Sequence, residues 1–373
     1  MALGAVACAS SSPNQPTGFG TVGTSGANTN GASGGAGSGG GLGESGNNLL
    51  GQVVGGSSGS SSDSGARPQR CDAQGMNCTC FNIASIGIGG QTGAQAGTTS
   101  AKDNVQAFLS YLNSASSIGI AQLGCSTDAG CMSPTKPTLT AAFLGQYDVI
   151  IFQWMANSIV VNPKGGYDGV GYWTWGADEL AALKTWVNGG GGMIVLSGYA
   201  NDNMMNLEIN PANQLLGAVS GIQFAPSDTF GAVETGNASY CLGDSDPATG
   251  WSATTPLGEN ITEVGAFHGK TVVPGPMSIV DCKDPVNGVL AAHEDLGKGH
   301  VYAYGDEWVT YTSQWDPPPG QPAGYCSLDG STANGDVPAV QVAYQVPQFW
   351  ENAISYASQA TMCPFHIPNT IPR

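Results

Sequence analysis

Aromatic side chains gather where predicted strands end, and the faces of such rings are surfaces on which sugars stack. The run Tyr172-Trp173-Thr174-Trp175 stands in a glycine-rich loop, a setting that core packing alone explains poorly. With Asp, Asn and Glu side chains to take sugar hydroxyls, this pattern predicts a pocket with apolar walls and a few polar groups. The alternative is that the rings close the top of the core. The predicted ligand-binding residues are Trp154, Trp173, Trp175, Tyr199, Asp202 and Trp308.

Carboxylates stand at the same predicted strand ends. Asp306 and Glu307 are adjacent after a late strand, and Asp202 follows an earlier one. Two carboxylates can act as acid and base on a glycosidic bond, or they can bind Ca²⁺ through hard oxygen ligands. Solvated loop charges are the simpler explanation. We therefore expect no resident cofactor, with calcium as the weaker alternative.

Ser197 follows a predicted buried strand and resembles the serine of a nucleophile elbow. The pattern G-x-S-x-G is not met, because Val195 and Tyr199 stand where glycines are needed. A serine in this place is usually a turn residue, so catalysis by Ser197 is a secondary hypothesis. A base would have to come from four histidines, none with the spacing of a known elbow partner: His268, His293, His300 and His366.

Alternating strands and helices must position these residues. The apolar runs that predict strands are Phe81–Gly90, Ile118–Leu123, Tyr147–Trp154 and Met193–Ser197, followed by a hairpin of Gly288–Ala292 and Val301–Tyr304. Apolar stripes at helical spacing predict helices at Val105–Leu112, Ala177–Asn188, Pro211–Val219 and Val346–Ser358. Residues 225–285 show only weak periodicity. This alternation predicts an α/β domain with a mostly parallel sheet.

The charge balance excludes two classes of partner. The chain carries 10 Lys and Arg against 27 Asp and Glu, a formal net charge of −17. A nucleic-acid-binding surface needs basic side chains to replace the counterions of the phosphates, and an anionic membrane surface repels an acidic protein. No apolar run approaches the ~20 residues that a membrane-spanning helix needs. We therefore expect no nucleic-acid partner and no spanning segment.

Residues 9–70 are predicted to be a disordered tether, and residues 71–373 a single domain with long surface loops. The tether holds 18 glycines and 13 serines, and its sparse apolar residues cannot offset the entropy cost of ordering the chain. Its charged residues are Glu44, Asp63, Arg67 and Arg70.

Residues 1–8, MALGAVAC, resemble the end of a bacterial lipoprotein signal. In that family the cysteine is lipidated after cleavage, and here Ala5, Val6 and Ala7 precede Cys8. Leucine is usual where Ala5 stands, and the basic start and most of the apolar stretch of a signal are missing. The resemblance implies a lipid anchor at Cys8, membrane contact only through that anchor, and an extracytoplasmic or secreted protein. An ordinary cysteine in a disordered end is the alternative.

The other cysteines point to an oxidising compartment, because disulfides are rare in reducing cytosol. Most of them stand beside Gly, Pro, Asp or Ser, as loop cysteines do. Zinc is disfavoured, because Cys78-x-Cys80 lacks the usual C-x₂-C spacing and no histidine is near. The connectivity stays open. The candidate pairs are Cys125–Cys131, Cys241–Cys282, Cys326–Cys363, and Cys71 with Cys78 or Cys80.

Three segments together resemble the class I glutamine-amidotransferase-like fold: YDVIIFQ, ADELAALKTWVNGGGGMIVLSGY and GKGHVYAYGDEW. The resemblance is nearest to degenerate extracytoplasmic members such as trehalose-utilisation-like proteins. It implies a flavodoxin-like sheet with helices on both faces and a crevice at the carboxyl ends of the strands. Catalytic members place a cysteine where Ser197 stands and a His-x-Glu pair near Asp306 and Glu307. That triad is absent, so glutamine hydrolysis is not expected.

Three functions remain open at this point. The first is non-catalytic recognition of a carbohydrate or cell-wall glycan, and the aromatic cluster favours it. The second is a glycoside or ester hydrolase that uses Asp306 and Glu307, or Ser197. The third is a surface scaffold or interaction protein without a pocket.

Overall fold

A computed structural model describes part of the chain. The described residues are 70–71, 78–79, 81–87, 108, 111–112, 120–123, 135–161, 167–197, 207–230, 246–248, 250–262, 264–266, 269–285, 288–310, 325–328, 340–343 and 345–358. All of them belong to the compact unit Gly56–Arg373. Cys8 and nearly all of the predicted tether lie outside the described residues. Within the described residues, no helix is long and apolar enough to cross a membrane.

Strands and helices are numbered in chain order. The strands are β1 (Arg70–Cys71), β2 (Cys78–Thr79), β3 (Ile83–Ile86), β4 (Ile120–Leu123), β5 (Val149–Phe152), β6 (Ala156–Val161), β7 (Tyr167–Tyr172), β8 (Gly192–Leu196), β9 (Gln223–Phe230), β10 (Asp246–Ala248), β11 (Val264–Ala266), β12 (Gly269–Val273), β13 (Ile279–Asp284), β14 (Gly288–Leu296), β15 (Gly299–Tyr304), β16 (Tyr325–Leu328) and β17 (Val340–Ala343). The helices are α1 (Ala141–Leu144), α2 (Ala177–Asn188), α3 (Ile209–Val219) and α4 (Val346–Ala357), with a 3₁₀ turn at Trp308–Thr310.

A seven-stranded mixed sheet forms the middle layer, in the order β13-β14-β15-β8-β5-β3-β4. The strands from β15 to β4 pair in parallel, and β13 and β14 extend the sheet as antiparallel strands. The parallel strands are ranked here by their order along the chain. Across the sheet from β4 to β15, these ranks are second, first, third, fourth and fifth. The order therefore reverses between β3 and β5, where open α/β sheets leave a crevice beyond their carboxyl ends.

Helices cover both faces of this sheet, so its central strands are buried on both sides. Successive strand residues face opposite ways, and the apolar residues accordingly divide into two core clusters. On one face, Met193 and Val195 of β8 pack in a cluster with residues of α2 and α3. On the other face, Ile194 lies in a cluster with Trp350 of α4 and with the buried helical positions Phe108, Tyr111 and Leu112.

The amino end of helix α2 is held by a carboxylate in its first turn. Glu179 accepts hydrogen bonds from the backbone N–H of Gly176 (2.9 Å) and Leu139 (3.2 Å), and it pairs with Lys136. Burial by itself would raise the pKa of this carboxyl group, but the hydrogen bonds and Lys136 lower it overall. An acidic group here also complements the helix dipole.

Most of the predicted sheet and helix elements are confirmed. The predicted helix Ala177–Asn188 is α2 with the same bounds, and Met193–Ser197 corresponds to β8, an interior parallel strand. The predicted hairpin is β14 with β15. Residues 225–285 hold most of β9 and the strands β10 to β13, which were not resolved from the sequence because short strands interrupted by turns carry little periodic signal.

The predicted disulfides stay predictions. Cys282 is the one cysteine whose side chain belongs to the described part of the structure, and it forms no disulfide there. Cys282 is completely buried, and burial, together with Asp284 and Asp281, raises the pKa of its thiol. Its predicted partner Cys241 lies outside the described residues. In the β1–β2 ribbon the register places Cys71 directly opposite Cys78, which favours that pairing over Cys71 with Cys80.

Candidate functional site

The carboxyl ends of the parallel strands carry buried polar side chains. At the reversal between β3 and β5, Gln153 donates a hydrogen bond from its side-chain amide to the Ser85 hydroxyl, and both residues are about 1% exposed. Gly87 follows β3 with φ +108°, and an added Cβ would lie 2.9 Å from the Trp154 carbonyl oxygen. Glycine is therefore required at the point where the segments after β3 and β5 leave the sheet side by side.

Ser197 lies at the end of β8, as predicted, but without a base. Its backbone N–H donates to the Tyr304 carbonyl at 3.1 Å, while its hydroxyl is buried and has no hydrogen-bond partner among the described residues. Of the histidines, His293 and His300 contact carboxylates elsewhere, as set out below. The other two lie outside the described residues, so the geometry gives the serine-hydrolase hypothesis no support.

Asp306 and Glu307 are buried just beyond β15, with exposed fractions of 0% and 1%. The Glu307 carbonyl accepts hydrogen bonds from the backbone N–H (2.9 Å) and the hydroxyl (2.8 Å) of Thr310. The interpretation of these acids as solvated loop charges is therefore wrong. In the described part of the chain, no group of three or more His, Cys, Asp or Glu side chains is arranged to hold a metal ion.

Several predicted sugar-binding tryptophans are buried. The exposed fractions of Trp154, Trp173 and Trp175 are 3%, 3% and 6%. The rings of Trp173 and Trp175 meet edge to face at 6.0 Å, inside the core cluster of the α2 and α3 face. The expectation that these two rings offer open faces to a sugar is therefore wrong. The side chains of the remaining predicted ligand residues lie outside the described part of the chain: Tyr199, Asp202 and Trp308.

An open depression of about 710 Å³ lies beside this edge of the sheet, between the end of β7 and the start of α3. We call it the amide depression, because Asn and Gln supply four of its nine lining residues. The Trp173 backbone N–H donates to the Met155 carbonyl at 3.0 Å, which ties one wall to the chain just after β5. The lining residues are Gly171, Tyr172, Trp173, Thr174, Leu207, Asn210, Asn213, Gln214 and Gln223.

The amide side chains of the depression divide into two kinds. Asn213 donates to the Phe224 carbonyl (3.0 Å) and accepts from the Phe224 N–H (2.7 Å), so it holds β9 against α3. Gln214 accepts from the Trp175 backbone N–H at 2.8 Å, which ties α3 to the opposite wall. Asn210 and Gln223 are exposed. The first pair builds the depression and the second offers donors and acceptors to a ligand.

The chemistry of the lining is neutral. It combines amides, the Thr174 hydroxyl, the Tyr172 phenol and an apolar edge, and none of its side chains carries a formal charge at neutral pH. Amides donate and accept at once, as hydroxyl-rich ligands require. The amide residues were not predicted from the sequence, although Asn210, Asn213 and Gln214 stand at i, i+3 and i+4 of α3 and so share one helix face.

A second titratable cluster lies where β14 and β15 meet α4. His293 Nδ1 is 2.8 Å from both carboxylate oxygens of Asp281, and both residues are buried. Tyr356 donates to Asp295 Oδ1 at 2.6 Å, and His300 Nδ1 lies 2.7 Å from the same oxygen. Burial and the bond to Asp295 raise the pKa of Tyr356. Because His300 pairs with the first residue of β8, this cluster lies at the amino ends of the parallel strands, opposite the amide depression.

Comparisons with known proteins leave the family open. No family model matches the chain, and no curated protein matches it. Among solved structures, the cytoplasmic protein STM3548 from Salmonella typhimurium shares 12% identity at a TM-score of 0.41, over 74% of this chain and 99% of that one. The mmIFT52 N-terminal domain shares 14% identity at 0.40, over 62% and 88%. The cytoplasmic protein STM1381 from Salmonella typhimurium LT2 shares 16% at 0.38, over 61% and 88%. Scores this low carry no argument about function.

Proposed function

We propose that this domain binds a neutral carbohydrate, such as a cell-wall glycan, in the amide depression. The observation that carries the proposal is the composition of the lining, which joins amide and hydroxyl groups to aromatic and aliphatic surface without a formal charge. Sugars present the same combination of hydroxyls and apolar ring faces. The protein's net charge of −17 further favours a neutral ligand over an anionic one.

Recognition in this proposal differs from the stacking on Trp173 and Trp175 that the sequence predicts. Both rings are buried in the core. Of the two residues, Trp173 belongs to the lining of the depression and Trp175 does not. The groups offered to the ligand are the exposed Asn210, Gln223 and Thr174, with Tyr172 as a half-buried aromatic neighbour.

The test is a screen of the full chain against an array of neutral and acidic glycans, followed by calorimetric titration of the glycans retained. We expect neutral glycans to bind. Asn210→Ala and Gln223→Ala should each weaken binding about three- to tenfold, since each removes one hydrogen-bonding side chain. Gln146→Ala is the matched control, because Gln146 is also an exposed glutamine but lies outside the depression.

Three results would contradict the proposal. Binding of acidic glycans alone would exclude a neutral site, and unchanged affinity in both amide variants would place the ligand elsewhere. A chain that retains no glycan would favour the scaffold hypothesis.

A glycoside hydrolase is the second candidate, because Asp306 and Glu307 closely follow the parallel strand β15. Carboxylates beyond a parallel strand lie where α/β sheets place their ligands. If the chain cleaves nitrophenyl glycosides, Asp306→Asn or Glu307→Gln should abolish turnover, and Gln146→Ala should leave it intact. No turnover by the unmodified chain would remove this candidate.

The relation to the glutamine-amidotransferase-like fold is part of the same proposal. The strand order second, first, third, fourth, fifth is that of flavodoxin-like sheets, which supports this relation. Ser197 stands where the catalytic cysteine of that family would be, so the family's reaction is not proposed.

A further inference from the structure

A buried ion pair holds the start of α3, the helix that supplies one wall of the amide depression. Glu208 directly precedes α3, and its Oε1 lies 2.9 Å from Lys270 Nζ. The two side chains are 1% and 0% exposed. Although Glu208 stands at the position of a helix cap, its side chain makes no capping hydrogen bond. Its carboxylate is directed to Lys270 instead.

Lys270 in turn is fastened to the carboxyl edge of the main sheet. Its backbone N–H donates to the Gly305 carbonyl at 2.6 Å, immediately after β15. A Cβ added to Gly305 would lie 2.0 Å from the Lys270 carbonyl oxygen, so only glycine permits this approach. The contacts thus run from α3 through Glu208 and Lys270 to the end of β15.

Neither charged residue lines the depression, but their neighbours do. Leu207 directly precedes Glu208 and Asn210 follows it by two residues, and both belong to the lining. The ion pair therefore acts on the wall indirectly, through the placement of the first turn of α3. The attraction between the two charges falls off with distance and so holds these side chains at 2.9 Å, whereas the hydrophobic effect that would act between apolar replacements is non-directional.

Stability alone gives little reason for such a pair. Removing two charges from water is costly, and well-packed apolar residues of similar volume are often as stabilising or more so. Removing only one partner is harmful, because it leaves a buried charge uncompensated. If the role of the pair is geometric, replacing both residues with apolar ones should preserve stability but alter the placement of α3. Replacing only one of them should lower stability.

We infer that Glu208 and Lys270 are positioning residues, whose ion pair sets the α3 wall of the amide depression against the carboxyl edge of the sheet. The inference rests on the proposed function where it concerns affinity. Its structural half, the ordering of the first turn of α3, does not depend on any ligand.

The experiment uses the full chain with the paired replacement Glu208→Leu plus Lys270→Met. We expect its midpoint of thermal unfolding to stay within a few degrees of the unmodified protein. Hydrogen exchange of the backbone amides of residues 207–214 should accelerate about tenfold or more, while the last two turns of α2 should be unchanged. Affinity for the glycan found in the screen should fall about tenfold. Lys270→Met alone should lower the midpoint by about 10 °C.

The contact between Asp295 and His300 provides the control. Asp295→Leu plus His300→Met removes a pair of similar length at the opposite end of the parallel strands. This variant should leave both the exchange of residues 207–214 and the glycan affinity unchanged.

The outcomes are separable. If the paired replacement exchanges and binds like the unmodified chain, the positioning role is overturned. If the unmodified chain binds no glycan, the proposed function fails, and the exchange of residues 207–214 alone decides the positioning role. A fall in affinity without a change in exchange would contradict the mechanism.

Discussion

Asp295 accepts hydrogen bonds from two elements at once. Tyr356 of α4 and His300 of β15 both reach its Oδ1, and the imidazole of His300 lies 4.6 Å from the Tyr356 ring. Burial would raise the pKa of this carboxyl, but the hydrogen bond from Tyr356 and the contacts with His300 lower it overall. Asp295 therefore links helix α4 to the edge of the sheet as a carboxylate, and the link depends on its ionisation.

The pH dependence of this link has a defined sign. A carboxyl group whose pKa is lower in the folded state stabilises the fold above its unfolded pKa of about 3.9, and that contribution is lost as the pH falls further. Asp295→Asn should lower the free energy of unfolding at pH 7 by less than about 1 kcal/mol, since the side chain is largely exposed. The difference should shrink below about pH 4. Urea unfolding at pH 7 and pH 3 measures it.

A difference that stays constant from pH 7 to pH 3 would show that ionisation of Asp295 plays no part. Glu259→Gln, at an exposed acid outside the cluster, serves as the control and should show no comparable dependence.

At the scale of elements, the first turn of helix α2 is held by contacts with residues outside the helix. Its first turn carries two acidic residues, but only Glu179 is engaged by Gly176, Leu139 and Lys136. Lys136 also lies 4.5 Å from the centroid of the Trp175 ring. One carboxylate thus joins the helix, the segment before α1 and the loop that follows β7.

Glu179→Ala should cost about 1–3 kcal/mol of stability, because it leaves backbone donors and a lysine without their acceptor. Asp178→Ala removes the adjacent exposed acid and should cost well under about 1 kcal/mol, through the helix dipole alone. Thermal unfolding of both variants gives the comparison. Equal losses would mean that the dipole, and not the specific contacts, accounts for the effect of Glu179.

At the scale of the whole molecule, the net charge and the proposed cellular location both bear on the proposed function. The formal charge of −17 disfavours binding to anionic surfaces, so we propose that attachment to a membrane uses a covalent lipid. The MALGAVAC segment supplies the candidate site for it, Cys8. If residues 9–70 form the predicted tether, they would then present the amide depression to glycans beyond the membrane.

Lipidation of Cys8 is tested by metabolic labelling with an alkyne fatty acid in a bacterial host that expresses the protein from its own gene. We expect the unmodified protein to be labelled and recovered in the membrane fraction, and Cys8→Ala to be unlabelled. Cys71→Ala is the matched control and should keep the label. A protein that takes up no label would remove the proposed anchor.

The order of the main elements was predictable from residues alone. Alternating apolar runs and helical stripes predict β3, β5, β8, α2, α3 and α4, because each of these elements must bury a continuous face. Strands β10 and β11 have three residues each and depend on pairing with a partner distant in sequence. They were therefore not predictable by periodicity.

The sequence by itself determined the α/β class and the place of Ser197 and Asp306 at strand ends, since local periodicity encodes both. Only the tertiary structure decided which side chains are accessible. Trp173 and Trp175 were predicted as an open platform and lie in the core, whereas Asn210 and Gln223 face the depression. Accessibility depends on what packs against a residue from elsewhere in the chain, and no local pattern contains that information.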